Sequence, residues 1–355
     1  MDIVFNPPVN EENQYVQLLV RELRANGYRI HPLDTIFSSW RHFKSIGLVH
    51  LNWFEVIDDS SIWTALRSFF RKLVVLVAIR LSGKPLVWTM HNRAAHDSRL
   101  AFFSRFLTRR LVRWSDRIVI HTQQSTELLA AYGRDIPQKT VYLPHPNFIK
   151  VYGEVQPAAS AGDETLYLLF VGMIKPYKNL ELLIETVSRF GTRMHLTLAG
   201  KAVDAQYRHK IEAMARDAHN VTLLSRFVQD DEMAALLSGA DALVLPYDLA
   251  SSLNSGTVIL AFSYQRTVIC PEIGTVADLG PLREAVFHYT YATETQHKDA
   301  LAAQIQRALA MKRQEPGALR AMGEQLYGYV ASAYDPALIG EELDKLYRTL
   351  TRREI

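Results

Sequence analysis

The sequence predicts an α/β protein built from two successive βαβ domains. Short apolar runs of strand length alternate with helical patterns along the chain, the signature of parallel sheets. At 355 residues the chain exceeds the size at which a single hydrophobic core stays efficient. A Pro/Ala/Gly/Ser stretch, YGEVQPAASAGDET at 152–165, interrupts the alternation, which then restarts. The boundaries expected are a first domain over 1–155, a second over 163–335, and a C-terminal helix over 336–355 that packs back towards the first.

In the first half, strands are expected at Ile3–Phe5, Arg29–Pro32, Leu48–Asn52, Leu86–Met90, Arg117–His121 and Thr140–Leu143. A first helix runs from about Asn13 to Asn26, with Gly27 as its C′ residue. In the second half, TLYLLFVG, MHLTLAG, NVTLLSRF, ALVLPY and TVICP have strand patterns. KNLELLIETVSRFG and DDEMAALLSGA have helical ones, the latter capped by Asp230. The tail from about His297 is helical, and Pro336 starts a last helix over about 337–352.

Composition is that of a globular chain, 48% hydrophobic and 22% charged. One cysteine, Cys270, excludes an internal disulfide and a cysteine-rich metal site and fits a reducing compartment. The opening MDIVFNPP has no apolar run of signal-peptide length, and the longest aliphatic run, Leu73–Ile79, is too short to span a bilayer. A net charge of +3 is mild, but between Ser60 and Ser115 eleven basic residues stand against one acid, Asp97. That excess calls for an acidic partner: lipid head groups, nucleic acid or a polyphosphate.

Two apolar stripes at helical spacing lie in this basic stretch: Trp63, Leu66, Phe70, Leu73, Val77 and Leu100, Phe103, Leu107, Leu111, Trp114. Most of these residues are expected to face the core. Arg105, Arg109 and Arg113 form a separate stripe suited to an anionic membrane surface.

The order FVGMIKPYKNLELLIE, LTLAGKA, ADALVLPY, a small-residue loop and TVICPEIG resembles the donor-binding domain of GT-B glycosyltransferases. VHLNW, WTMHNRAAHD, SDRIVIHT and YLPHPNFIKVYG, with the SGT loop, resemble bacterial exopolysaccharide β-mannosyltransferases that build xanthan-type repeats. The resemblance covers nearly the whole chain. It implies the GT-B fold, two Rossmann-like domains facing across a cleft, with the acceptor on the first and the nucleotide sugar on the second. It also implies a GDP- or UDP-linked sugar donor, GDP-mannose before the others, and a lipid-linked or oligosaccharide acceptor. A cytoplasmic chain, peripheral at the inner face of the cell membrane, needs no cofactor and no nucleic acid.

The chain departs from the large retaining branch of this fold. Aligning TVICP with the G-x-P-V-I segment of that branch places Ser252 and Leu260 where its paired glutamates stand. Leucine cannot bind a ribose hydroxyl as a carboxylate does, so an inverting displacement is expected. Met173 replaces the arginine of G-R-L, and Lys175 can offer the same charge.

Gly172 closes a strand, and Lys175 and Lys178 are expected at the helix start that follows, where they would neutralise a diphosphate leaving group. Asn254, Ser255, Gly256 and Thr257, after Tyr247, form an uncharged loop that would hold phosphate through backbone N–H and hydroxyl donors. Family position places the nucleobase near Phe227 and Val228, with Gly200 and Lys201 bordering the pocket.

For the acceptor, HNRAAHD leaves a strand and offers three groups suited to general-base or sugar-binding work: Asp97 first, His96 second, His91 third. Asn6, Asn10, Asn13 and Asn92 suit sugar hydroxyls, with Glu11 and Glu12 as reserve bases. His145 is equally suited to packing in a turn. No D-x-D and no His/Cys/carboxylate spacing for a metal occurs, so a metal-independent reaction is expected. The absence of Walker and GxGxxG patterns argues against a kinase or dehydrogenase. A sugar-nucleotide epimerase of the same fold and a catalytically degenerate binding protein are the alternatives.

Overall fold

The computed structural model describes residues 1–10, 13–58, 61–93, 101–156 and 164–351. The chain forms two compact units: Met1–Pro146 with Tyr334–Ile355, and Asn147–Ala333.

The first unit contains β1 (Asp2–Asn6), β2 (Arg29–His31), β3 (Ile46–Asn52), β4 (Leu86–Met90), β5 (Arg117–Ile120) and β6 (Thr140–Tyr142). They form a parallel sheet in the order β2-β1-β3-β4-β5-β6. Its helices are α1 (Gln14–Ala25), α2 (Trp40–Ser45), α3 (Ile62–Leu81), α4 (Ala101–Trp114) and α5 (Gln124–Ala130). The strands are almost wholly apolar because helices cover both faces of a parallel sheet; all five residues of β4 are buried.

The second unit's sheet contains β7 (Leu166–Val171), β8 (Met194–Ala199), β9 (Val221–Leu224), β10 (Ala242–Val244), β11 (Thr267–Pro271) and β12 (Phe287–Tyr289). It is again parallel, in the order β12-β11-β10-β7-β8-β9. The helices are α6 (Leu180–Ser188), α7 (Ala205–Asp217), α8 (Asp230–Ser238), α9 (Gly256–Ser263), α10 (Gly274–Ala277), α11 (Glu294–Gln314) and α12 (Ala318–Ala333).

The last helix, α13 (Pro336–Thr351), belongs to the first unit. Its Ile339, Leu343, Tyr347 and Leu350 share a core with Tyr15, Val16, Leu19 and Leu23 of α1. The Tyr28 hydroxyl donates to Asp344 Oδ1 at 2.7 Å, and the Tyr347 hydroxyl bonds His50 Nδ1.

Local signals place most ends. Asn13 caps α1, accepting from the Tyr15 amide at 3.1 Å, and Gly27 follows the helix at φ 83°. Two expectations fail. The residue that caps α8 is Gln229 rather than Asp230: its amide donates to Glu232 Oε2 at 3.1 Å, and Glu232 is held in place by Arg226.

The stripe on α3 also does not face the core. Trp63, Phe70 and Val77 are 78%, 58% and 37% exposed, while Ala65, Phe69, Leu76 and Ile79 are buried. The helix is apolar around its circumference, so periodicity could not tell the covered face from the open one. On α4 Leu107 and Leu111 are fully buried, Phe103 and Trp114 are half-buried, Leu100 lies outside the described residues, and Arg105, Arg109 and Arg113 are exposed.

Close approach of α1 and α13 generates a stability prediction. A methyl group on Gly340 would lie 2.5 Å from Glu22 Cβ, an atom fixed close to the α1 backbone. Gly340→Ala is expected to destabilise the protein by about 1–3 kcal/mol despite alanine's better helix propensity. Urea denaturation checks this, and an unchanged midpoint would contradict it.

Candidate functional site

The second sheet reverses its direction of growth between β7 and β10, which leaves a crevice beyond their carboxyl ends. Gly172 ends β7 at φ 128° and Gly200 ends β8 at φ 156°. A methyl group on Gly200 would meet the Gly172 carbonyl oxygen at 1.9 Å. One on Gly172 would lie 3.2 Å from Lys178 Nζ and 3.8 Å from Thr257 Oγ1. Glycine is therefore a steric requirement at Gly200, and at Gly172 it lets the two polar groups close on the end of β7.

Lys178 does not lie at a helix start. Pro176–Lys178 forms a 3₁₀ turn, Asn179 takes the left-handed conformation at φ 52°, and α6 begins only at Leu180. Asn179 Nδ2 donates to the Pro246 carbonyl at 2.9 Å, and the Asp248 amide to the Tyr177 carbonyl at 3.1 Å. These bonds tie the turn to the segment after β10 and direct Lys178 inward.

The Lys178 side chain is buried, with Nζ 5.3 Å from the Phe170 ring centroid and 5.7 Å from that of Tyr247. No acceptor or carboxylate pairs with its ammonium among the described residues. Burial, reinforced by the nearby charge of Lys175, pushes the Lys178 pKa down to about 8. Lys175 itself is half-buried and sits just before the turn.

The small-residue loop divides its work. Ser255 caps α9, accepting from the Val258 amide at 3.3 Å, and its hydroxyl donates to the Tyr247 hydroxyl at 3.1 Å. The Ser255 amide donates to Thr275 Oγ1 at 2.9 Å. Ser255 is thus engaged within the protein, whereas the amides of Gly256 and Thr257 have no acceptor among the described residues. Asn254 is half-buried immediately before the cap.

Gly172, Lys178, Tyr247, Ser255 and Thr257 therefore converge: two open amides, a hydroxyl and a buried cation, with no carboxylate. Such a set favours an anion. Lys201 is exposed and contributes its carbonyl to the Ile174 amide at 2.9 Å. Phe227 is 37% exposed and Val228 buried. Val228 lines a cavity of about 540 Å³ under α8, together with Tyr167, Thr197, Leu224 and Arg226.

In the first unit the corresponding switch lies between β1 and β3, whose last residues are Asn6 and Asn52. Asn52 Nδ2 donates to the Asn6 carbonyl at 3.2 Å, so its Oδ1 accepts from His91 Nε2 at 3.0 Å. This fixes the His91 tautomer and makes Nδ1 its basic nitrogen. The His91 ring stacks on Trp53 at 3.9 Å and 15°, with Trp53 held at φ 49°.

His121 Nδ1 donates to the Leu143 carbonyl at 2.7 Å, leaving Nε2 to accept from the Tyr15 hydroxyl at 3.1 Å. His145 Nδ1 donates to the Pro146 carbonyl at 2.9 Å, and its ring lies 5.0 Å from that of Tyr15. Burial keeps these rings neutral: His121 is pushed down to about 4, His50 and His145 to about 3, and His91 well below its ordinary value.

Of the remaining acceptor candidates, Asn13 serves as the α1 cap, Asn10 is half-buried with its carbonyl accepting from the Asn13 amide, and Asn92 is exposed. His96, Asp97, Glu11 and Glu12 lie outside the described residues. Sequence reasoning missed Tyr15, Asn52, Trp53 and His121 here, and Asn179 and Thr275 in the second unit. Asn52, His91 and His121 each end or directly follow a parallel strand, so applying the strand-end rule to every strand would have found them.

Two predictions follow from these buried groups. The folded histidines have pKa values below the unfolded value of about 6.5, so the unfolded chain binds more protons between about pH 3 and 6.5. Their contribution to stability is complete above that window and is lost as pH falls through it. Calorimetry should show Tm falling from about pH 7 to 5, and a flat profile would contradict the assignment.

For Lys178 the unfolded chain holds the proton between about pH 8 and 10.5, so burial of the charged form weakens the fold below that window. Lys178→Met is expected to raise Tm of the free protein at neutral pH and to abolish any stabilisation by nucleotide diphosphates. A lowered Tm would show that the ammonium is satisfied within the protein.

Comparison with known proteins bears on the fold and on sequence likeness. Residues 165–311 match the family model described as Glycosyl transferases group 1. The chain is 29% identical over 231 residues to GDP-mannose:glycolipid 4-beta-D-mannosyltransferase of Xanthomonas campestris pv. campestris, a match covering 63% of this chain and 61% of that one. It thus spans about three fifths of that curated relative's length.

Among solved structures, sucrose-phosphate synthase from Thermosynechococcus elongatus superposes with a TM-score of 0.74 at 18% identity, covering 99% of both chains. Anabaena HepE in complex with UDP and glucose gives 0.70 at 12% identity, covering 98% of this chain and 100% of that one. From its two parallel sheets and these likenesses, the chain is a protein of GT-B fold that resembles the glycosyltransferases of group 1 and is mannosyltransferase-like in sequence.

Proposed function

We propose that the chain transfers a sugar, mannose before others, from a nucleotide-diphosphate donor to a lipid-linked oligosaccharide, with inversion and without a metal or cofactor. The observation that carries this is the buried Lys178, which has no acceptor among the described residues, beside Gly172 and the open amides of α9. A cation buried without a partner destabilises the empty protein, and a diphosphate supplies the missing charge. The relative named for GDP-mannose and a glycolipid supports GDP-mannose and a glycolipid acceptor, while HepE bound to UDP keeps a UDP-linked donor open. Assembly of bacterial exopolysaccharide at the inner face of the cell membrane is the setting proposed.

In this reaction the acceptor hydroxyl attacks the anomeric carbon as the bond from that carbon to the β-phosphate oxygen breaks. The nucleoside diphosphate leaves with increased negative charge, which Lys178, Lys175 and the Gly256 and Thr257 amides stabilise. Such an arrangement supplies charge that a metal would otherwise bring. Asp97 is proposed as the base that takes the hydroxyl proton, with His96 as its alternative. His91 is proposed to orient the acceptor, since Asn52 fixes its ring and burial keeps it uncharged. Phe227 and Val228 are assigned to the nucleobase, and Gly200 and Lys201 to the border of its pocket.

Inversion is favoured on the sequence alignment alone, in which Leu260, a buried residue of α9, falls at the position of a glutamate of the retaining branch. The test combines a thermal-shift panel of GDP, UDP and their sugars with NMR of the product's anomeric coupling. Stabilisation by GDP-mannose and an inverted product are expected. Retention would overturn the mechanism, donor turnover without acceptor would indicate an epimerase, and no stabilisation by any nucleotide would indicate a degenerate site.

A further inference from the structure

The outward face of α3 has no role in either site. Trp63, Phe70, Val74, Val77 and Leu81 are 78%, 58%, 60%, 37% and 81% exposed. At about 100° per residue these five fall within about 60° of arc, on a strip about 27 Å long. The opposite face, with Ala65, Phe69, Leu76 and Ile79, is already buried in the unit. Folding therefore accounts for one apolar face of α3 and leaves the other uncovered, larger than scattered exposure produces.

The surroundings of the strip are cationic. Neither α3 nor α4 contains an acidic residue. Arg67 and Arg80 on α3 and Arg105, Arg109 and Arg113 on α4 are exposed, and none makes an ion pair among the described residues. The two helices pack through Phe69, whose ring lies 4.7 Å from that of Phe103 and 5.5 Å from that of Phe106.

From this we infer that α3 lies in the interface of an anionic phospholipid bilayer, its apolar strip among the acyl chains and the arginines of α3 and α4 on the head groups. Apolar side chains bordered by arginine match a layer that is hydrocarbon beneath and negative at its surface. A second copy of the chain fits less well, because a twofold contact would bring two arginine-bordered strips together with no acidic residue on α3 or α4 to pair the charge. Nucleic acid would leave Val74, Val77 and Leu81 uncovered.

The two helices also hold the loop after β3. Lys72 Nζ donates to the Phe54 carbonyl at 3.0 Å and to that of Val56, and Ser104 Oγ donates to the Glu55 carbonyl at 2.8 Å. That loop carries Trp53, the ring on which His91 stacks. Lys72 lies on the side of α3 away from the strip, so docking through α3 would hold the loop bearing Trp53 behind the helix, on the order of 10 Å from the lipid surface.

The test is co-sedimentation of the full chain with phosphatidylcholine vesicles and with vesicles containing phosphatidylglycerol. It is run at about 0.1 M and about 1 M salt, where the screening length falls from about 10 Å to about 3 Å. The wild type is expected to bind the anionic vesicles, more weakly but measurably at high salt. The triple variant Trp63→Ser, Phe70→Ser, Leu81→Ser should bind at least tenfold less at both salt concentrations with unchanged Tm, since all three side chains are exposed. The variant Arg105→Glu, Arg109→Glu, Arg113→Glu should lose binding chiefly at low salt.

Brominated phosphatidylglycerol should quench a component of the tryptophan emission that is absent from Trp63→Phe. Sedimentation of the serine variant like the wild type, absence of Trp63 quenching, or a dimer that this variant dissociates would each overturn the inference. None of these readouts uses a nucleotide sugar. Vesicle binding with no nucleotide response would leave this inference standing and defeat the transferase reading, and the reverse result would do the opposite.

Discussion

Parallel strand pairing requires every strand to be followed by a crossover that returns along a face of the sheet. Both units obey this requirement without exception among the described strands, and most of their architecture follows from it. Helices cover both faces, so the strands are mostly apolar along their length, with His50 and Thr89 as hydrogen-bonded exceptions. Polar groups concentrate instead where the strands end. The order β12-β11-β10-β7-β8-β9 then singles out one pair of ends, β7 and β10, because the chain grows from β7 through β8 to β9 on one side and then crosses back to β10 on the other. Gly172, Lys178, Tyr247 and the start of α9 gather there, and the first sheet repeats the logic with Asn6, Asn52 and His91.

The two sets of strand ends solve different electrostatic problems. In the second unit a lysine is buried without an acceptor among the described residues, next to helix amides that have none there either, so positive potential gathers at this point. Such an arrangement destabilises the free protein and is relieved only when negative charge arrives. In the first unit burial acts on histidines, and the result is neutrality. Hydrogen bonds to Asn52, the Leu143 carbonyl and the Pro146 carbonyl fix which nitrogen of each ring carries the proton. One set of strand ends therefore concentrates positive charge and the other presents neutral, oriented rings.

The α3 strip shows a third consequence of the same architecture. A crossover helix needs one apolar face to cover its sheet, and α3 has two. Nothing within the unit requires the second. Its bonds to the loop bearing Trp53 run through Lys72, a half-buried residue whose pKa burial pushes down to about 8.

Much was legible in the sequence because it depends on local rules. Strand identity follows from short apolar runs, the ends of α1 from Asn13 and Gly27, and the glycines at 172 and 200 from strand ends that approach too closely for a side chain. The small-residue loop before α9, with Ser255 as cap, could be recognised from its composition. What the sequence could not decide was direction. Lys178 turns inward because Asn179 adopts a left-handed conformation and bonds the Pro246 carbonyl, a partner 67 residues away. His121 meets Tyr15 across 106 positions, and α13 reaches α1 from the far end of the chain. The open face of α3 was invisible for a related reason: periodicity reports where apolar residues recur, and only packing determines which of two apolar faces the neighbouring elements cover.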